Sequence, residues 1–154
     1  RYIETPEQFQ ALDAAGKVLA LFADPYEPEA VVEKAIALLA RNPKGYFLMV
    51  EWNSHQKDAR DTLENTLRLD RTLQRARQLT NPRQTLLLVT ADHSYDLRIT
   101  GAKIGDDILP KVTIGGRHTA EEVLVAADGP GAEAVRGFLS NTDLFRVMKS
   151  AFGW

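Results

Sequence analysis

The sequence predicts an α/β fold, with a mostly parallel sheet carrying helices on both faces. Two observations lead there. Apolar runs of strand length, KVLALFA (17–23), YFLMVE (46–51) and TLLLVTA (85–91), alternate with amphipathic stretches of helix length at 29–40 and 59–79. Composition agrees: of 154 residues, 44% are hydrophobic and 26% charged, enough for a core that needs neither disulfide nor structural metal. The chain has no Cys, which excludes a disulfide scaffold and leaves the redox compartment open. We therefore read residues 1–154 as one α/β domain.

The elements follow in order. Thr5 is placed to N-cap a short helix, with Pro6 at its first position and Gln8 completing a capping box; Gly16 ends this segment. Lys17 to Ala23 reads as a buried strand, and Asp24, Pro25 and Pro28 punctuate its exit. Glu29 to Ala40 turns helical, with Val32, Ile36 and Leu39 on the inner face. After Asn42, Pro43 and Gly45, the continuous apolar run Tyr46 to Glu51 suits a central strand covered on both faces. The longest helix is Ala59 to about Leu79, its apolar positions Ala59, Leu63, Leu67, Leu73 and Ala76 marking one side.

Asn81 and Pro82 stop that helix, and Thr85 to Ala91 forms a third buried strand ending in Asp92-His93. Residues 96–118 differ in texture. Gly101, Gly105, Gly115 and Gly116 surround short β-like pieces, Leu97 to Thr100 and Val112 to Ile114, which reads as an excursion off the main sheet. Val123 to Ala127 is a further strand, and Gly129-Pro130-Gly131 turns the chain. Asn141 or Thr142 caps a last helix with Leu144, Phe145, Met148 and Phe152 as its buried stripe.

Charge and hydropathy exclude several partners. The basic residues are interleaved with Asp58, Asp61, Glu64 and Asp70 in the middle of the chain, so no concentrated basic face is offered to nucleic acid. The row Arg68, Arg71, Arg75 reads as a solvated helix face. The apolar runs fall far short of the roughly 20 residues that cross a bilayer, and no targeting segment is visible, so no membrane partner is expected. The chain begins at Arg1, from which we expect a processed product or a piece of a longer protein.

Among residues able to carry chemistry, position is informative. In open α/β sheets ligands bind beyond the carboxyl ends of strands, where this sequence puts Glu51 after one strand and Asp92 and His93 after another. His118 lies in a Gly-flanked loop. Imidazole with carboxylate is the ligand set of Zn²⁺, and hard oxygens also hold Mg²⁺. The bland alternative is that a strand-end carboxylate caps a helix and a loop histidine is merely solvated. The serines Ser54, Ser94, Ser140 and Ser150 sit in no nucleophile elbow, and no phosphate-binding glycine loop follows a strand. Trp52 beside Glu51 either shields a site or packs.

Taken together, GYFLMVE (45–51), L-x-L-D (67–70), TLLLVTADH (85–93), GRHTAEEV (116–123), GPGA (129–132) and NTDLF (141–145) resemble the C-terminal part of an alkaline phosphatase. The resemblance covers nearly the whole chain. It implies the C-terminal half of that fold, phosphate-monoester hydrolysis by the full-length parent, two Zn²⁺ sites with a nearby Mg²⁺, and a periplasmic or secreted location. Paired metals suit such chemistry because they stabilise the attacking and leaving oxygens of an in-line displacement.

By resemblance, Asp92 and His93 are ligands of one zinc, His118 of the other, and Glu51 of magnesium. The main departure lies at Glu51-Trp52-Asn53-Ser54-His55, where the family's Asp and His after this glutamate are compressed and Asn53 stands in the aspartate's place. Asn53 offers only a neutral carbonyl oxygen, so the cation would be held more weakly. Asp58 reaching in, or an eroded site at Asn53 and His55, are the alternatives. Nothing matches the family's N-terminal half, so the nucleophilic serine is expected to be absent and this piece alone inactive. A sheet cut in two leaves open edges, and a homodimer is the expected consequence. The rival readings are a non-catalytic domain of this fold used for association, or a related phosphodiesterase or sulfatase-type hydrolase.

Overall fold

The computed structural model describes residues 1–13, 16–23, 26–56, 58–101 and 111–154. The predicted punctuation at Asp24 and Pro25 and the glycine at Gly105 lie outside the described residues. The chain divides into two compact units, Arg1–Ser54 with Leu63–Leu79, and His55–Thr62 with Thr80–Trp154. Helix and strand are mixed in an α/β architecture.

In the first unit, β1 (Tyr2–Ile3) pairs in parallel with β2 (Leu19–Ala20). Between them α1 (Pro6–Gln10) starts at the expected capping box: the Gln8 N–H donates to Thr5 Oγ1, and Gln8 Oε1 accepts from the Glu4 and Thr5 N–H groups. The helix α2 (Pro28–Leu39) buries Val32 and Ile36 as expected, together with Ala35 and, in place of Leu39, Leu38. Ile3, Phe9, Leu12, Ala35 and Leu38 form one apolar cluster, with Val18, Ala20, Phe22, Val31 and Leu48 against it. This burial drives the unit's folding, because each apolar side chain withdrawn from water contributes about 1.5–3 kcal/mol.

The helix α3 (Ala59–Leu79) has the bounds its periodicity predicts. Asp58 caps it, its carboxylate accepting from the Asp61 N–H at 2.9 Å. The expected side is buried only at its two ends, at Ala59 and Ala76; Leu63 and Leu67 in between are 50% and 57% exposed, and Thr72 is buried instead. Arg75, partly exposed, is ion-paired rather than simply solvated: its guanidinium donates to both carboxylate oxygens of Glu33 on α2.

Two strand expectations need correction. Among the described residues Tyr46 to Glu51 belongs to no ladder; its side chains alternate, Tyr46 and Leu48 partly buried, Phe47 and Met49 exposed. Nor is the sheet mostly parallel. Among the described residues there are three two-stranded sheets, and two of them are antiparallel. In the second unit β3 (Leu87–Thr90) pairs with β6 (Val125–Asp128), and β4 (Ser94–Ile99) with β5 (Val112–Thr119). Parallel pairing needs a crossover, usually a helix, and among the described residues no α-helix separates β3 from β6. Of the stretch 96–118, residues 102–110 lie outside the described residues, and those described on either side pair as the β4–β5 ribbon.

Two glycines make the second unit's geometry feasible. Gly129, at φ +101° after β6, lies where a Cβ would come within 2.0 Å of the Thr85 carbonyl oxygen. Gly115 on β5 leaves room for the Asp96 side chain on β4, at a register shift between Tyr95 and Leu97. The last helix, α4 (Asn141–Ala151), is capped by Ser140 with Asp143 rather than by Asn141 or Thr142. It buries Val147 instead of the expected stripe, leaving Phe145 64% exposed.

Candidate functional site

Three histidines and one tyrosine come together in the second unit. The pairing of β4 with β5 sets Tyr95 opposite His118. Directly opposed residues in an antiparallel pair project to the same face, so these two rings share a side of the ribbon, their centroids 5.5 Å apart. His93 precedes β4 and stacks on His118 at 3.8 Å, the planes inclined by 20°. His55 arrives from the segment before α3 and stacks on Tyr95 at 3.9 Å and 11°, with His93 at 6.2 Å.

His93 Nδ1 lies 3.0 Å from the Ser94 carbonyl oxygen, which can only accept; a neutral ring that donates there presents its lone pair at Nε2. Asp92 Oδ2 lies 3.4 Å from that Nε2. A backbone carbonyl fixing one imidazole nitrogen so that the other can donate is the arrangement found around metal-ligating histidines. Asp92 is largely exposed and His93 mostly shielded, at 82% and 26% of their side chains.

Glu51, Trp52 and Asn53 belong to the first unit, Asp58 to the second. Glu51 and Asn53 are both exposed. Burial pushes the Tyr26 hydroxyl above its ordinary pKa, and the Glu51 carboxylate adds to the shift. Trp52 packs: its indole N–H donates to the Asn65 carbonyl at 3.1 Å and its ring meets Tyr26 edge-on at 5.5 Å. Asp58 is occupied as the cap of α3.

The donors suit a borderline divalent cation in chemistry, imidazole nitrogen beside carboxylate oxygen. Among the described residues, however, no three His, Asp or Glu side chains converge on one point. An imidazole coordinates through a nitrogen in its plane, whereas His93 and His118 meet face to face. The donors are gathered but do not form a closed coordination sphere.

A family model described as alkaline phosphatase matches residues 23–115. The chain belongs to the alkaline phosphatase family. It is similar to the alkaline phosphatase of Escherichia fergusonii, 32% identical over 146 residues that cover 80% of this chain and 31% of that protein. The tissue-nonspecific isozyme of Homo sapiens is 33% identical over 130 residues, covering 79% of this chain and 24% of the relative. Alkaline phosphatase H of Pseudomonas aeruginosa is 31% identical over 144 residues, 79% and 30% of the two chains. The chain thus spans about a third or less of the length of these curated relatives.

Sequence reasoning missed Tyr95. The available signal was proximity in sequence, since Tyr95 stands two residues beyond His93 at the start of β4.

Proposed function

We propose that this chain is the C-terminal portion of a metal-dependent phosphate-monoester hydrolase, part of one α/β domain that holds ligands for the cations but not the serine nucleophile. The observation that supports this reading most is the gathering of His55, His93 and His118 with Asp92, and the contact of His93 Nδ1 with the Ser94 carbonyl that orients its ring. Family membership supports the reaction class.

In this reading Asp92 and His93 hold one zinc, His118 and His55 the other with Asn53, and Glu51 holds magnesium. Bound there, the cations would supply positive charge where phosphoryl transfer builds negative charge. The chain's own contribution is to orient. The Ser94 carbonyl orients the His93 ring, and the ribbon register keeps His118 beside it. A phosphate monoester is the substrate of the whole protein, and a periplasmic or secreted location goes with the family reading. The exposed side chains of Phe47, Met49, Leu63 and Leu67 support association through the first unit, with a second copy or with further polypeptide of the same fold.

Calorimetry tests the reading. Zinc is expected to bind the purified chain and to lose most of its affinity in His118→Ala, while a phosphate monoester is not turned over. A folded chain that ignores zinc, or turnover that Asp92→Ala removes, would overturn it. Asn53 favours a second reading, a non-catalytic domain of the same fold, because a neutral amide holds a cation less firmly than a carboxylate. That reading predicts an inactive whole protein.

A further inference from the structure

Of the four rings gathered in the second unit, three are imidazoles with an assigned part and the fourth is Tyr95. His93 and His118 are fixed by the ribbon and its approach, one by the Ser94 carbonyl and the other by its register opposite Tyr95. His55 belongs to neither strand. Its ring lies nearly parallel to Tyr95, centroids 3.9 Å apart and planes at 11°, but 6.2 Å from His93 with the planes at 46°. An imidazole on an irregular segment loses rotamer freedom when it is held in one place, so some contact must offset that cost. A face-on aromatic contact does so without using either ring nitrogen.

We infer that Tyr95 is the positioning residue for His55, seating its imidazole beside His93 and His118 by ring stacking while leaving both its nitrogens available. The inference rests on the reading of the imidazole cluster as a cation site. It separates the ring of Tyr95, which does the seating, from its hydroxyl, which is dispensable for that purpose.

The test uses the whole chain with Zn²⁺ alone as probe, and two readouts: calorimetric affinity, and the proton NMR shifts of the His55 ring, which a stacked aromatic displaces upfield. Tyr95→Ala is expected to abolish the displacement and to weaken zinc about three- to tenfold, the range an aromatic pair commands. Tyr95→Phe is expected to keep both. His118→Ala is expected to lose zinc yet retain the displaced His55 signals. If Tyr95→Ala does not fold, Tyr95→Leu removes the ring at similar volume and takes its place. Unchanged His55 shifts in the ringless variant, or a Tyr95→Phe variant that behaves like it, would overturn the inference. A wild-type chain that shows the displacement but binds no zinc overturns the cation reading alone, and the seating of His55 stands.

Discussion

Arg75 on α3 grips Glu33 on α2 with two hydrogen bonds, Nε to Oε2 at 3.0 Å and Nη2 to Oε1 at 2.9 Å. The fork of a guanidinium matches a carboxylate in this way and a lysine cannot reproduce it. Hydrogen bonding from Arg75 holds the Glu33 carboxyl below its ordinary pKa, with the Arg75 charge acting in the same direction and desolvation opposing. A depressed carboxylate stabilises the fold above its unfolded value, about 4.3, and the contribution fades as pH falls through the lower folded value. Melting curves of wild type and Glu33→Gln are therefore expected to differ at neutral pH and to converge on acidification below about 4. A gap that widens in acid would contradict the assignment.

Gly129 is the position least tolerant of a side chain. A methyl group there would stand 2.0 Å from the Thr85 carbonyl oxygen, on a backbone at φ +101°. Gly129→Ala is expected to cost about 3 kcal/mol or more in denaturant unfolding, because both backbone strain and a clash with main chain are introduced. Gly131 has φ +88° but open space around it. Gly131→Ala is expected to cost only about 1 kcal/mol, the conformational share alone. Equal losses at the two sites would show that the Thr85 contact is unimportant.

Trp52 contributes to stability in the first unit through its contacts with Asn65 and Tyr26. Trp52→Phe keeps an aromatic ring and deletes the indole donor, leaving the Asn65 carbonyl one partner fewer. Chemical denaturation is expected to read a loss of about 1 kcal/mol. Trp52→Ala should cost several times more, since it removes the ring that meets Tyr26 as well. No loss in either variant would mean that the indole is a passive surface group.

Asn53 is the residue whose chemistry disagrees most with a cation site, and it gives a directional test. Asn53→Asp exchanges a neutral oxygen donor for a charged one of nearly the same shape. Zinc affinity measured by calorimetry is expected to rise about tenfold or more, since a unit charge close to a divalent ion is worth at least that much at a partly screened site. Unchanged affinity would remove Asn53 from the ligand set and favour an eroded position.

Some features of this protein were legible in the sequence because local interactions decide them. The capping box of Thr5 and Gln8 closes within four residues, and the apolar period from Ala59 with the stop at Asn81-Pro82 brackets α3 at its observed bounds. The family was legible too, through short ordered motifs that survive at about one-third identity. Asp92-His93 could be placed at a strand end because the apolar run before it is continuous.

Tertiary structure decided the rest. That β3 pairs antiparallel with β6, and that Tyr46 to Glu51 stands outside every described ladder, depends on partners remote in sequence. Periodicity marks an apolar stripe on α3 and α4 but does not say which of its residues meet a neighbour; Leu63, Leu67 and Phe145 are exposed while Thr72 and Val147, outside the expected stripes, are buried. The same limit hid Arg75, whose partner Glu33 lies 42 residues away. It also hid Tyr95, which meets His55 across 40 positions only because the fold carries the segment before α3 to the β4–β5 ribbon. Hydrogen bonds within a turn or cap are encoded where they form, whereas burial and ring contacts between distant segments exist only after the chain has closed the loops that bring them together.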